Sequence, residues 1–180
     1  GKKFLHAGPG YGGSCFPKDT IALCKTAKDH GAPTQIVEAV VAVNDARKKA
    51  MAERVLAALG DKAKGATVGV LGVTFKPNTD DMRDAPSLDI IPALQAAGCR
   101  IKAYDPVGMD EAKQYFQDVI WAENAYDAID QTDCMVIITE WNEFRALHLD
   151  QLKKRLNQPL IVDLRNIYRP DEMAAAGFTY

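Results

Sequence analysis

Apolar residues recur along this chain in two rhythms, and the change between them divides it. From Pro33 to Leu59 nothing breaks a helix, and Ile36, Val40, Val43, Ala50, Leu56 and Leu59 recur at spacings compatible with one apolar face. The pattern predicts a helix over 33–59, ended by Gly60. At ~1.5 Å per residue it is about 40 Å long, so it reads either as a subunit or domain interface or as a single long core helix. Upstream, Pro17 suits a first helical position, Asp19 puts negative charge in the first turn, and Ile21, Leu23, Cys24 and Ala27 give an apolar side before Gly31. This predicts a helix over about 17–30. Beyond Ala66 the rhythm changes to short β-branched and apolar runs at 67–73, 100–104, 118–121, 134–139 and 160–164. Helical stretches at 86–97, 123–130 and 143–156 separate them. Strands alternating with helices predict an α/β fold, a Rossmann-like parallel sheet with helices on both faces. The chain is thus expected to divide into a helical part, 1–63, and an α/β part, 64–180.

Composition narrows the function classes. Among 180 residues, 22 basic and 24 acidic side chains leave a net charge of −2, and no block of like charges appears. That removes the electrostatic grounds for a nucleic-acid or anionic-membrane partner. No apolar run approaches the roughly 18 residues needed to cross a bilayer. The first residues lead into glycines rather than an apolar signal segment, so the expected compartment is the cytoplasm. Four cysteines without a Cys-x-x-Cys pair, and three histidines, argue against a zinc site and a disulfide framework; no metal is expected.

Candidate chemistry begins in the glycine-rich stretch Gly8-Pro9-Gly10-Tyr11-Gly12-Gly13-Ser14. Cys15 follows it and stands at or near the amino end of the first helix, with Lys18 close by. Unpaired backbone N–H groups and the helix dipole favour an ionised thiol there, which suits covalent catalysis; the alternative is a free structural cysteine. Asp19, one turn further, either activates water or merely complements the dipole. The first strand opens like a nucleotide-binding fold, yet the G-x-G-x-x-G loop does not follow. Lys76 and Arg83 stand beyond that strand, and Arg165 and Arg169 flank the last one, all suited to anions. Asp105 reads as an Asp-Pro turn rather than a ribose-binding acid. The histidines have no telling partner.

The stretch Gly10-Tyr11-Gly12-Gly13-Ser14-Cys15-Phe16-Pro17-Lys18-Asp19-Thr20 resembles the catalytic-cysteine motif of the UDP-glucose 6-dehydrogenases. Leu71-Gly72-Val73-Thr74-Phe75-Lys76, Asp81-Met82-Arg83-Asp84, Ala103-Tyr104-Asp105-Pro106 and Val162-Asp163-Leu164-Arg165-Asn166 resemble successive segments of their C-terminal domain. The resemblance covers the whole chain. It implies an enzyme of three parts: an NAD-binding domain, a central helical region that forms a dimer, and a Rossmann-like domain that binds the sugar nucleotide. This chain is expected to be the C-terminal piece, inactive alone, with NAD held mainly by a domain outside it and a homodimer formed through the helix at 33–59. By the same resemblance Cys15 and Asp19 are catalytic, and Phe4, Leu5, Gly10, Tyr11, Gly12, Lys76 and Arg165 contact the UDP-sugar. Gly13, Lys18 and Arg83 lie on the NAD side. Oxidation of GDP-mannose or UDP-N-acetylmannosamine is the nearest alternative. A non-catalytic nucleotide-sugar-binding and dimerisation module needs no reactive Cys15, and a cysteine hydrolase needs a histidine base such as a distant His148.

Overall fold

The computed structural model describes residues 6–180, so Phe4 and Leu5 lie outside the described residues. Helices α1 (Phe16–Asp29) and α2 (Gln35–Leu59) come first, and a 3-10 turn, Gly60–Lys62, closes α2. Five strands follow: β1 (Thr67–Leu71), β2 (Arg100–Tyr104), β3 (Val119–Trp121), β4 (Cys134–Ile137) and β5 (Ile161–Asp163). They form one sheet in the order β3-β2-β1-β4-β5 with every pairing parallel, Val68 standing opposite Ile101 on one side and Cys134 on the other. Helices α3 (Ser87–Ala96), α4 (Met109–Ala112), α5 (Ala125–Ile129), α6 (Asn142–Arg145), α7 (Leu149–Arg155) and α8 (Pro170–Ala175) complete the chain.

A parallel strand is buried on both faces, which is why β1 and β4 read as nearly unbroken apolar runs. On one face Val68, Val70, Ile101, Ala103 and Val136 pack against Ile90, Ile91 and Leu94 of α3 and Met51 and Val55 of α2. On the other, Leu71, Met135, Ile137 and Ile161 meet Ile129, Phe144, Leu152 and Met173. The expected architecture, helices on both faces of a parallel sheet, is therefore present.

The structure differs from the sequence-based expectation in detail. The strands at 67–73 and 134–139 stop at Leu71 and Ile137; beyond β1 the N–H of Val73 is taken by the Asp105 carboxylate (2.8 Å) instead of a strand neighbour. The helix expected over 143–156 is two helices, since the N–H of His148 donates to the Tyr126 hydroxyl (2.9 Å) and not to a carbonyl one turn back. The short helices α4 and α8 have too few residues to show a periodicity. The helix at 33–59 starts at Gln35. Its carboxyl-terminal half enters the core, while Ile36 and Val43 in its first half are 82% and 65% exposed. No helix among the described residues is long and apolar enough to cross a membrane.

Candidate active site

The glycine-rich loop lies against the loop that follows β1, and α2 holds it there. Asn44 and Lys48, one turn apart on α2, are polar side chains only 7% and 6% exposed. Asn44 satisfies both backbone groups of Tyr11: its Oδ1 accepts from the Tyr11 N–H (2.8 Å) and its Nδ2 donates to the Tyr11 carbonyl (3.3 Å). The Lys48 stem lies against Gly10, and its Nζ donates to the carbonyl of Asp84 (3.0 Å). Arg47 Nε donates to the carbonyl of Gly8 (2.6 Å). Leaving the buried groups of Asn44 and Lys48 without partners costs about 1–3 kcal/mol each, so the loop conformation is strongly specified. Sequence reasoning missed Asn44 and Lys48. The available signal was two polar residues at i and i+4 in line with the buried stripe Met51, Val55 and Leu59.

Contact with the β1–α3 loop explains two of the glycines. A Cβ on Gly12 would stand 2.3 Å from the carbonyl oxygen of Asp84, and one on Gly13, whose φ is +90°, would stand 2.7 Å from the Phe75 ring. The N–H of Gly13 donates to the carbonyl of Arg83 (2.8 Å). Only a backbone without side chains approaches this closely.

Cys15 is the N-cap residue of α1, as expected; its carbonyl accepts from the N–H of Asp19 (2.9 Å) and its side chain is exposed. Sγ lies 3.6 Å from Ser14 Oγ. Asp19 stands one turn along, paired at 3.2 Å with Lys18, and both side chains are largely exposed. Facing this helix end is Arg83. Asp81 grips its guanidinium through two bonds of 2.9 Å, holding the arginine proton more tightly than usual. The same contact holds the Asp81 carboxyl below the ordinary carboxylate range.

Two further cations stand beyond strands of the sheet. Lys76 Nζ rests 5.1 Å above the Phe75 ring, the ring that underlies Gly13. Arg165, just past β5, is ion-paired with Glu140, and its guanidinium abuts Gly8. Tyr11 packs edge-on to Phe16 with ring centroids 4.7 Å apart. The structure thus gathers Gly10, Tyr11, Gly12, Gly13, Cys15, Lys18, Asp19, Lys76 and Arg83 around one loop, and ties Arg165 to the start of that loop. A cleft of about 260 Å³ lined by Asp80, Asp81, Met82, Arg83, Glu111 and Tyr115 adjoins Arg83. A wider hollow, about 680 Å³, lies at the other end of α1 beside Cys24 and Lys28 and has no relation to Cys15. Among the described residues no hydrogen bond joins a histidine to Cys15: the N–H of His148 bonds the Tyr126 hydroxyl, and the His30 ring bonds the Thr26 carbonyl of its own helix.

Comparison with known proteins agrees with this geometry. Residues 69–170 match the UDP-binding domain of the UDP-glucose/GDP-mannose dehydrogenase family, and residues 1–46 match its central domain. The chain is 58% identical over 180 residues to a UDP-glucose 6-dehydrogenase of Rhizobium meliloti (strain 1021) and 45% identical over 181 residues to the UDP-glucose 6-dehydrogenase TuaD of Bacillus subtilis (strain 168). Both matches take in all of this chain and 41% and 39% of those relatives, so the chain spans well under half of their length. A solved UDP-glucose dehydrogenase from the archaeon Pyrobaculum islandicum superposes with a TM-score of 0.84 at 32% identity, over 96% of this chain and 38% of that one. With the cysteine loop, the parallel sheet and the family's UDP-binding domain all present, the chain belongs to the UDP-glucose/GDP-mannose dehydrogenase family.

Proposed function

We propose that this chain is the C-terminal portion of an NAD-dependent dehydrogenase that oxidises UDP-glucose twice, to UDP-glucuronate, through a covalent intermediate on Cys15. The observation that carries the reading is an exposed cysteine capping α1, with a carboxylate one turn away and a clamped arginine facing it. The relatives support the choice of UDP-glucose over other nucleotide sugars.

NAD, when bound, accepts a hydride in each oxidation. The crevice beside β1 does not suit that dinucleotide: the G-x-G-x-x-G loop is lacking, and Asp105, where a ribose-binding acid would stand, is fully buried and bonded within the protein. We therefore assign NAD to a separate domain, with Gly13, Lys18 and Arg83 on the edge that faces it. Gly10, Tyr11, Gly12, Lys76 and Arg165 meet the sugar nucleotide, the glycines by backbone N–H groups and the cations by their charge. In the sugar aldehyde the thiolate of Cys15 forms a bond to C6, and the carbonyl oxygen takes up a proton. In the second oxidation C6 gives up its remaining hydrogen as the hydride and the hydroxyl on it releases its proton to water, which leaves the carbon held as a thioester. Water then adds to it, Asp19 accepts the proton of that water, and the C–S bond breaks to restore the thiolate and release the acid. The apolar face of α2 pairs two copies, the division of the chain falls at 63/64, and the protein acts in the cytoplasm.

The test joins this chain to its NAD-binding domain and measures NADH and acid. UDP-glucose should drive formation of two NADH per sugar, and Cys15→Ser should stop net production of acid. Glucuronate formed at the parental rate by that variant would refute the covalent route.

A further inference from the structure

Asp105 was expected to make an Asp-Pro turn, and its Oδ1 does accept from the N–H groups of Val107 (3.1 Å) and Gly108 (2.8 Å). The other oxygen faces a different segment altogether. Oδ2 accepts from the N–H groups of Val73 (2.8 Å) and Thr74 (3.3 Å) and from the Trp141 indole (3.2 Å). A carboxylate offers about four lone-pair sites, so five N–H donors leave none for a ligand hydroxyl.

The loop these bonds hold is gripped from its carbonyl side as well. Ser87 Oγ donates to the carbonyl of Val73, Thr139 Oγ1 to that of Thr74 (2.6 Å), and Thr74 Oγ1 to that of Lys76 (3.0 Å). Two residues of the site sit at the end of this grip: Phe75, whose ring underlies Gly13, and Lys76, whose ammonium rests on that ring. Resting on the proposed function, we infer that Asp105 is a positioning residue for the UDP-sugar: an acid at the end of β2 turned inward to lock the 73–76 loop, so that Lys76 is presented to the ligand and Phe75 supports the Gly12–Gly13 turn that leads to Cys15. The side chain that would read a ribose in a dinucleotide fold here serves as an internal anchor.

The experiment is a calorimetric titration of UDP into the full-length protein, at neutral pH, for the parent, Asp105→Asn and a control, Leu94→Ala. The asparagine keeps the shape but turns an N–H₂ group toward N–H donors. UDP should bind Asp105→Asn about tenfold more weakly, the scale of a buried donor left unpaired. Leu94, fully buried on α3, tests simple loss of stability and should leave UDP affinity within about twofold. Asp105→Asn should also shift the indole emission of the full-length protein before any ligand is added, a shift that vanishes once Trp141→Phe is added, whereas Leu94→Ala should give none. If Asp105→Asn does not fold, Thr74→Val removes the hydroxyl bond to the Lys76 carbonyl and should weaken UDP roughly threefold. A folded Asp105→Asn, or failing that Thr74→Val, with parental UDP affinity overturns this inference alone. A parent that does not bind UDP overturns the functional reading and the inference together.

Discussion

The two halves of α2 share one helix and have opposite surroundings. In the carboxyl-terminal half Met51, Ala52, Val55 and Leu59 are buried, at most 7% exposed, against α3 and the sheet. In the amino-terminal half Ile36, Val40 and Val43 are 82%, 42% and 65% exposed, and Ile21 and Leu23 of α1 are about half exposed as well. Periodicity alone treats these residues alike. The difference is one of cover: the second half packs against α3 and the sheet, while in the first half Ile36, Val40 and Val43 stay exposed although α1 packs against α2. Exposed apolar residues at one helical spacing are what the proposed pairing of two copies would cover. The glycine loop is anchored where the two halves meet, at Asn44 and Lys48, so the site stands on the boundary between the buried half of α2 and its exposed half.

The sharpest way to break this comparison is to truncate one side chain in each half. Met51→Ala should lower the unfolding free energy of this chain in urea by about 2–5 kcal/mol, since it removes buried contacts and leaves a cavity. Ile36→Ala, on an exposed position, should change it by no more than about 0.5 kcal/mol. Equal losses at the two sites would mean that the first half is as well packed as the second.

Association reverses the order of sensitivity. With Ile36→Asp and Val43→Asp together, the proposed dimer should dissociate in sedimentation at concentrations where the parent is associated, while the fold persists by circular dichroism. Burying two unpaired carboxylates costs several kcal/mol, enough to separate copies held by an apolar face. An unchanged mass would show that the copies do not meet through this face.

Much of this arrangement is legible in the sequence, and what is not has a common cause. Pro17, the glycines before Cys15 and the apolar side of α1 place Cys15 at the helix cap because each acts within a few residues. The β-branched runs give the sheet for the same reason. The break between α6 and α7 depends on Tyr126, 22 residues before His148, and the pairing of Arg165 depends on Glu140, 25 residues before it. The Asp105 turn is local and was expected; the bonds of Asp105 to Val73, Thr74 and Trp141 span 31 to 36 residues and were not. Asn44 and Lys48 look like solvent-facing helix positions until the loop they hold, 33 to 36 residues away, is brought against them.

Acid offers the smallest and most selective effect. The apolar residues of the first half of α2 do not titrate, whereas the α/β part is held in part by ionised carboxylates. Lys102 donates to Asp127 at 2.7 Å, and this bond, with the N–H of Glu123, keeps the Asp127 carboxyl below its ordinary range; Arg83 does the same to Asp81. A carboxyl whose pKa is lower folded than unfolded adds stability that is present above the unfolded value, about 4, and is lost as the pH falls through the folded value. Asp127→Asn should therefore lower stability at pH 7 by at most about 1 kcal/mol, the ceiling for a part-exposed pair. That deficit should shrink as both proteins are titrated below about pH 4, because the parent then loses the same interaction by protonation. A deficit that stayed constant into acid would assign the role of Asp127 to its shape and hydrogen bonding rather than to its charge.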